Sequence, residues 1–322
     1  MVILERGQRS GPVLTPSSLP CLRGIPTVNI TNGCAHACSY CYTRGYSGYP
    51  GEGRVIVFDN IPDLVQAELL RKRRRPGRVY FSPSSDAFQP LREVQDVTYK
   101  TMSILLNSGV DVAFLTKGAI EDRFMALFSA SPTKVFAQVG ITTLEERLRQ
   151  ALEAGAASIT QRLKVMEDLA QIGVEVRARL DPLIPGLTDT ESSLSSLLAE
   201  LIRRGVRRVA ASYLFLRPAF SQRICERLCG FPGWPRSAAT WPWHRLADGV
   251  GGGQMISLNE RRQGFRRLEA LAEEHGVSVH VCACKNPDLG LTSDCGIAGP
   301  ASARTPDAPL FGSVHLDRDA GT

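Results

Sequence analysis

Between residues 28 and 216 the chain alternates short, β-rich apolar runs with longer stretches whose apolar residues recur at helical spacing. The apolar runs fall at 28–30, 79–81, 110–115, 135–139, 174–180 and 209–216. Amphipathic stretches at 62–75, 94–107, 121–129, 158–172 and 190–204 lie between them, and Gly109, Gly173 and Gly205 stand where three of these helices end. Six β-runs with intervening helices predict an α/β fold with a parallel sheet, and their even spacing predicts a (β/α)6 TIM-type barrel or part of one. Catalytic loops of such folds lie at the C-terminal ends of the strands. A tight group of cysteines follows the first run directly, beginning in Thr31-Asn32-Gly33-Cys34.

The periodicity changes after Leu216. Residues 217–256 read as irregular, with Pro-Gly-Trp-Pro at 232–235 and Trp241, Trp243 and His244 either lining a substrate pocket or plugging the barrel. A helix at 259–275 then leads to a strand at 277–281 that delivers Cys282 and Cys284. The expected division is an N-terminal extension at 1–20, a barrel at 21–216 and a small cluster-binding extension at 217–298. An Ala/Pro/Asp-rich tail at 299–322 has the composition of a disordered segment.

Composition adds little that is special. The 322 residues are 43% hydrophobic and 22% charged, as expected of a globular protein with a substantial core. No apolar run approaches the roughly 20 residues of a membrane span, and the N-terminus lacks the apolar core of a signal peptide. The expectation is a cytoplasmic protein without membrane contact. The net charge of +6 is mild, and part of it sits in Arg71-Lys72-Arg73-Arg74-Arg75. That run is read as the end of the helix at 62–75, where cations suit the negative pole, with a polyanion contact as the alternative.

The nine cysteines change the picture more. Cys34, Cys38 and Cys41 form one group, Cys225 and Cys229 a second, Cys282, Cys284 and Cys295 a third, and Cys21 stands alone. In a reducing compartment tight groups read as metal sites rather than disulfides. The spacing Cys34-x3-Cys38-x2-Cys41 supplies three thiolates from one loop, enough for three irons of a [4Fe–4S] cube, and leaves the fourth iron open to a small molecule. A zinc ion would want a fourth ligand, for which His36 is poorly spaced. A closed electron-transfer cluster is the other alternative.

The octet Cys34-Ala35-His36-Ala37-Cys38-Ser39-Tyr40-Cys41 resembles the signature of the radical S-adenosylmethionine (SAM) superfamily. The resemblance implies that the open iron chelates the amino and carboxylate groups of SAM, that Tyr40 packs near its adenine, and that one electron cleaves it to methionine and a 5′-deoxyadenosyl radical. It implies an electron donor such as a flavodoxin or ferredoxin. Over roughly 25–215 the chain is similar to the spore photolyase-like branch. Gly53 to Val57 with Asn60-Ile61-Pro62 is similar to the segment after the cluster loop, and Ser84-Ser85-Asp86 through Pro90 resembles the loop around the SAM methionine. Lys117 matches a lysine expected at the SAM carboxylate, and Arg179 through Ile184 and Gly186 resembles the segment along the nucleoside. Gln138 stands where the branch often carries serine. Read without the resemblance, Asp86 and Asp181 are also turn formers, Lys117 a surface residue, and Arg179 a stem packed on the sheet.

Cys282-x-Cys284-x10-Cys295 suggests an auxiliary [4Fe–4S] cluster, with a zinc site completed by His280 or plain buried thiols as alternatives. Cys225 and Cys229 read as core residues on one helical face, or as hydrogen-atom donors or cluster ligands. Three functions follow. The first is hydrogen abstraction from a small, nucleoside-like substrate, with an auxiliary cluster serving oxidation or sulfur insertion in biosynthetic tailoring. The second is repair of a DNA lesion, which makes nucleic acid the partner. The third is a non-enzymatic iron–sulfur electron carrier or sensor.

Overall fold

Period-2 and period-3.6 patterns resolve into distinct elements in a computed structural model that describes residues 2–290 and Gly296, apart from 18, 236, 237, 239 and 247–250. Cys295 and the tail at 299–322 lie outside the described residues. The chain opens with β1 (Ile3–Gly7), β2 (Thr15–Pro16), β3 (Pro26–Val28), β4 (Thr31–Asn32) and β5 (Arg54–Phe58). There follow α1 (Ile61–Arg71), β6 (Arg78–Phe81), α2 (Arg92–Asn107), β7 (Asp111–Thr116), α3 (Asp122–Ser129), β8 (Val135–Gly140), α4 (Glu146–Leu152) and α5 (Ile159–Gln171). After β9 (Glu175–Leu183), α6 (Glu191–Arg203) and β10 (Arg208–Tyr213) come α7 (Ser221–Leu228), β11 (Trp243–Arg245), β12 (Gly252–Gln254), α8 (Leu258–Glu274) and β13 (Ser278–Val281).

The main sheet has the order β13-β10-β9-β8-β7-β6-β3-β2. Every pairing from β3 to β13 is parallel, and β2 runs antiparallel on the β3 edge. The sheet is open, so the expected barrel is a partial one. Successive side chains alternate between its faces. Val79, Phe81, Val112, Phe114, Ala137, Val139, Ala178, Leu180, Val209 and Ala211 join the main core with residues of the helices. The concave face carries the intervening residues, among them Tyr80, Ala113 and Phe136, and is covered by the chain around Leu19, Leu22 and Ile25.

Two expectations need correction. The helix expected at 62–75 ends at Arg71, with Lys72 already extended, so Arg73–Arg75 lie beyond it rather than on its last turn. Pro76 disfavours helical geometry at Arg75, and the chain must turn into β6. The first strand is Pro26–Val28 rather than 28–30, because Thr31 and Asn32 pair instead with β5 in a second sheet of order β1-β5-β4. The C-terminal strand β13 does more than present cysteines: it extends the parallel sheet beside β10. Among the described residues no helix is long and apolar enough to cross a membrane.

Helix α8 opens on a capping box of Ser257 and Glu260 and packs on β10 through Phe265, whose ring lies 5.1 Å from that of Tyr213. Gly264 lets the Tyr213 hydroxyl approach the helix: a Cβ there would lie 1.6 Å from it. The same hydroxyl donates to Asp189 at 2.9 Å. In an exposed helix Gly→Ala gains about 1 kcal/mol, whereas overpacking costs about 1–3 kcal/mol. Gly264→Ala is therefore expected to destabilise the protein on denaturant unfolding; a stabilised variant would contradict this packing.

Candidate active site

The loop that carries Cys34, Cys38 and Cys41 leaves β4 at the C-terminal edge of the sheet and is pinned from below by backbone contacts. Ser39 N donates to Leu152 O at 2.7 Å, Gly155 N donates to His36 O at 2.9 Å, and Cys38 forms an isolated β-bridge with Glu153. Only glycine fits at 155, since a Cβ there would lie 2.1 Å from Ala35 O. Ala35 N donates to the Gln89 side chain at 2.7 Å, and Gln89 in turn donates to Thr31 Oγ1 and Asp86 O at 2.9 Å.

Beneath the loop lies an ion pair with almost no water contact. Arg162 of α5 and Glu153 just after α4 are each about 1% exposed and 2.5 Å apart. Arg162 also donates to Ala157 O and Gly140 O at 2.9 Å, and Tyr40 OH donates to Glu153. Burial opposes ionisation of Glu153, but Arg162 and Lys117 outweigh it and hold its carboxyl below the ordinary value. Burial likewise opposes the charge on Lys117, yet Cys38 and Glu153 outweigh it and raise its pKa. Tyr40 is pushed well up by burial, with Glu153 adding to it, so it stays a neutral donor.

The three cysteines open onto a cavity of about 160 Å³ at the ends of β3, β6 and β7. Tyr40, Ser84, Ser85, Asp86 and Lys117 share its walls with Leu19 and Leu22 of the covering segment. Lys117 reaches over Tyr40, with Nζ 5.6 Å from the ring centroid. Asp86 is occupied in stitching the loop after β6 to the end of β7: Oδ1 accepts from Phe88 N and Thr116 Oγ1, and Oδ2 from Lys117 N, all at 2.8 Å. It therefore positions Lys117. Burial drives the Cys34 thiol pKa well up, with Asp86 and Cys38 adding, and drives Cys38 up to about 12. Burial lowers the pKa of His36, which faces Asp86 at 3.7 Å.

Gln138, Arg179 and Ile184 are not brought into these walls. Gln138 and Arg179 lie further along on β8 and β9, at positions that alternate with core residues, and Ile184 is buried in the main core with its N–H on Thr188 Oγ1 at 2.7 Å. Arg179 pairs with Asp181 at 2.9 Å, and Lys285 donates to both Asp181 oxygens at 2.7 and 2.8 Å. Burial opposes the Asp181 charge, but Lys285 and Arg179 outweigh it and lower its pKa. Cys282 and Cys284 are buried near the end of β13 and meet Cys21, which was read as standing alone. The core reading of Cys225 and Cys229 fails: they are half-buried and exposed, and line a separate hollow with Phe231 and Trp234. Trp241 is buried beside Trp234 and Trp243 is 61% exposed, both away from the cysteine cavity.

The family model described as the Radical SAM superfamily matches residues 28–197, more than half of the chain. The chain belongs to the radical SAM superfamily. An uncharacterized protein of Mycobacterium tuberculosis is 27% identical over 200 residues, 59% of this chain and 59% of that protein. The radical SAM Nalpha-GlyT isomerase of Pseudomonas phage M6 is 24% identical over 225 residues, 70% of this chain and 45% of that one. The match thus spans about three fifths of the length of the first of these relatives. Among solved structures, spore photoproduct lyase with bound AdoMet and dinucleoside spore photoproduct superposes with a TM-score of 0.67 at 17% identity, over 86% of this chain and 81% of that one. A radical SAM methyltransferase from Sphaerobacter thermophilus gives 0.51 at 18% identity, over 80% of this chain and 66% of that one. These likenesses show the radical SAM fold.

The residues present fit the cluster and SAM that the superfamily implies. Three thiols converge on one cavity. His36 Nε2, Ser82 Oγ and Ser85 Oγ line it buried and without a hydrogen-bond partner among the described residues, which a polar ligand would repair. Sequence reasoning missed Glu153, Arg162 and Gly155, which no spacing flags. Replacing Arg162 by leucine strands a buried carboxylate, a change that typically costs about 3–5 kcal/mol. Denaturant unfolding of Arg162→Leu, Glu153→Leu and the double variant is expected to show the double losing clearly less than the sum. Additive losses would contradict the pair.

Proposed function

We propose that this radical SAM protein is an enzyme that cleaves SAM reductively and abstracts hydrogen from a small, nucleoside-like substrate. Cys34, Cys38 and Cys41 hold the [4Fe–4S] cluster, which when loaded supplies the electron that breaks SAM into methionine and a 5′-deoxyadenosyl radical. Lys117 neutralises the SAM carboxylate, Tyr40 flanks the adenine, and Ser84 and Ser85 offer hydroxyls to the methionine end. Gln138, Arg179 and Ile184 are assigned to the nucleoside side, and Leu19 and Leu22 exclude water from a radical that water would waste. The observation that carries this reading is the shared cavity of the three thiols, Tyr40, Ser85 and Lys117. A flavodoxin- or ferredoxin-like protein serves as electron donor.

We further assign the C-terminal cysteines, Cys282 and Cys284 with Cys295, to an auxiliary [4Fe–4S] cluster serving oxidation or sulfur insertion. A second reading, repair of a nucleic-acid lesion, is favoured by the likeness to a fold that holds a dinucleoside and by the exposed cations from Arg73 to Arg75. DNA binding that collapses with rising salt would promote it.

The anaerobically reconstituted, reduced protein is expected to form 5′-deoxyadenosine from SAM, and Cys38→Ala to form none. Lys117→Met is expected to keep its iron while binding SAM roughly tenfold more weakly, the cost of one charge-assisted hydrogen bond. A cluster-loaded protein that yields no 5′-deoxyadenosine would overturn the assignment.

A further inference from the structure

Cys21 meets Cys282 and Cys284, some 260 residues further along the sequence, on the concave face of the sheet. Cys282 caps the end of β13, Cys284 follows in a short 3-10 turn at Ala283–Lys285, and Cys21 lies in the facing turn at Pro20–Leu22. Together with Ala210 they form one small buried cluster, in which Cys282 is 3% and Cys284 8% exposed. The turn that carries Cys21 packs directly against the turn that carries Cys284.

The loop is held in place before any ligand arrives. Cys282 N donates to Ala211 O at 3.0 Å, and Asn286 Nδ2 donates to Cys282 O at 2.9 Å. Asn286 accepts from Arg261, itself wholly buried in α8, at 2.8 Å, and Arg261 also grips Asp288. Lys285 and Arg179 place two cations around the single Asp181 carboxylate. Cys21 is flanked by Leu19 and Leu22, which wall the Cys34 cavity, so one short segment touches both groups of thiols.

We propose that Cys21 is a thiolate ligand of the second iron–sulfur centre, alongside Cys282 and Cys284. The proposal rests on the reading that the C-terminal cysteines hold such a centre. It makes the N-terminal covering segment, which also walls the Cys34 cavity, part of the metal site.

The test uses the full chain carrying Cys34→Ala/Cys38→Ala/Cys41→Ala, reconstituted anaerobically, with iron, sulfide and zinc counted and electron paramagnetic resonance recorded. About four irons per chain are expected in this background, as one cube requires. Cys21→Ser is expected to lose iron or shift the resonance, while Cys225→Ala leaves both unchanged. Full iron and an unaltered signal in Cys21→Ser, with loss in Cys284→Ala, would overturn the role of Cys21 and leave the centre standing. No iron in the background, or zinc in its place, would overturn the centre and this proposal together. Alkylation followed by mass spectrometry guards against misfolding of a variant: in the unsubstituted, loaded protein Cys21 is expected to be protected until a chelator removes the iron. Equal reactivity before and after chelation would also overturn the proposal.

Discussion

The buried pair of Glu153 and Arg162 is the contact on which the cysteine loop depends. It joins four parts of the chain: the end of α4, the first turn of α5, the end of β8 through Gly140 O, and the loop itself through Tyr40. Two desolvated charges cost more than their attraction returns unless their remaining polar atoms are matched. Here Arg162 also reaches two carbonyls and Lys117 adds a second cation above Glu153, while Arg162 Nη2 is buried with no hydrogen-bond partner among the described residues. This arrangement resembles a positioning device more than a source of net stability. A leucine pair would hold α4 against α5, but it would not fix the Tyr40 hydroxyl, the ring beneath Lys117 or the height of the Cys38 backbone.

Everything built above that pair is short-range. Cys38 is set by its bridge to Glu153, Lys117 by Asp86, and Asp86 by Phe88 and Thr116. The cavity is then closed by the segment around Leu19 and Leu22, which packs on Tyr80, Ala113 and Phe136 instead of extending away as a separate appendage. The concave face therefore holds two groups of thiols with one covering segment between them.

Much of this was legible in the sequence. The alternation of apolar runs and amphipathic stretches located six parallel strands and their helices to within a few residues, since period and length are local properties. The octet at 34–41 pointed to a loop whose three thiols line one cavity, because spacing within one loop survives folding. Cys21 was not legible as a partner, since it lies some 260 residues from Cys282 and Cys284 in sequence and meets them only because β13 returns to the sheet beside β10. Glu153 and Arg162 read as ordinary helix charges, because nothing in the pattern shows that both sit under the loop. The strand at 28–30 was misplaced by two residues because the chain leaves the main sheet after Val28 and pairs with β5 from Thr31.

The central claim is that Cys34, Cys38 and Cys41 would hold a cluster that binds SAM in the cavity walled by Lys117 and Tyr40. Pulsed electron paramagnetic resonance of the reduced, reconstituted protein with SAM labelled by 15N at its amino group tests it most directly. The account predicts a nitrogen coupling to the cluster that vanishes in Cys38→Ala. A cluster signal unchanged by SAM, in a protein that carries its iron, would contradict it.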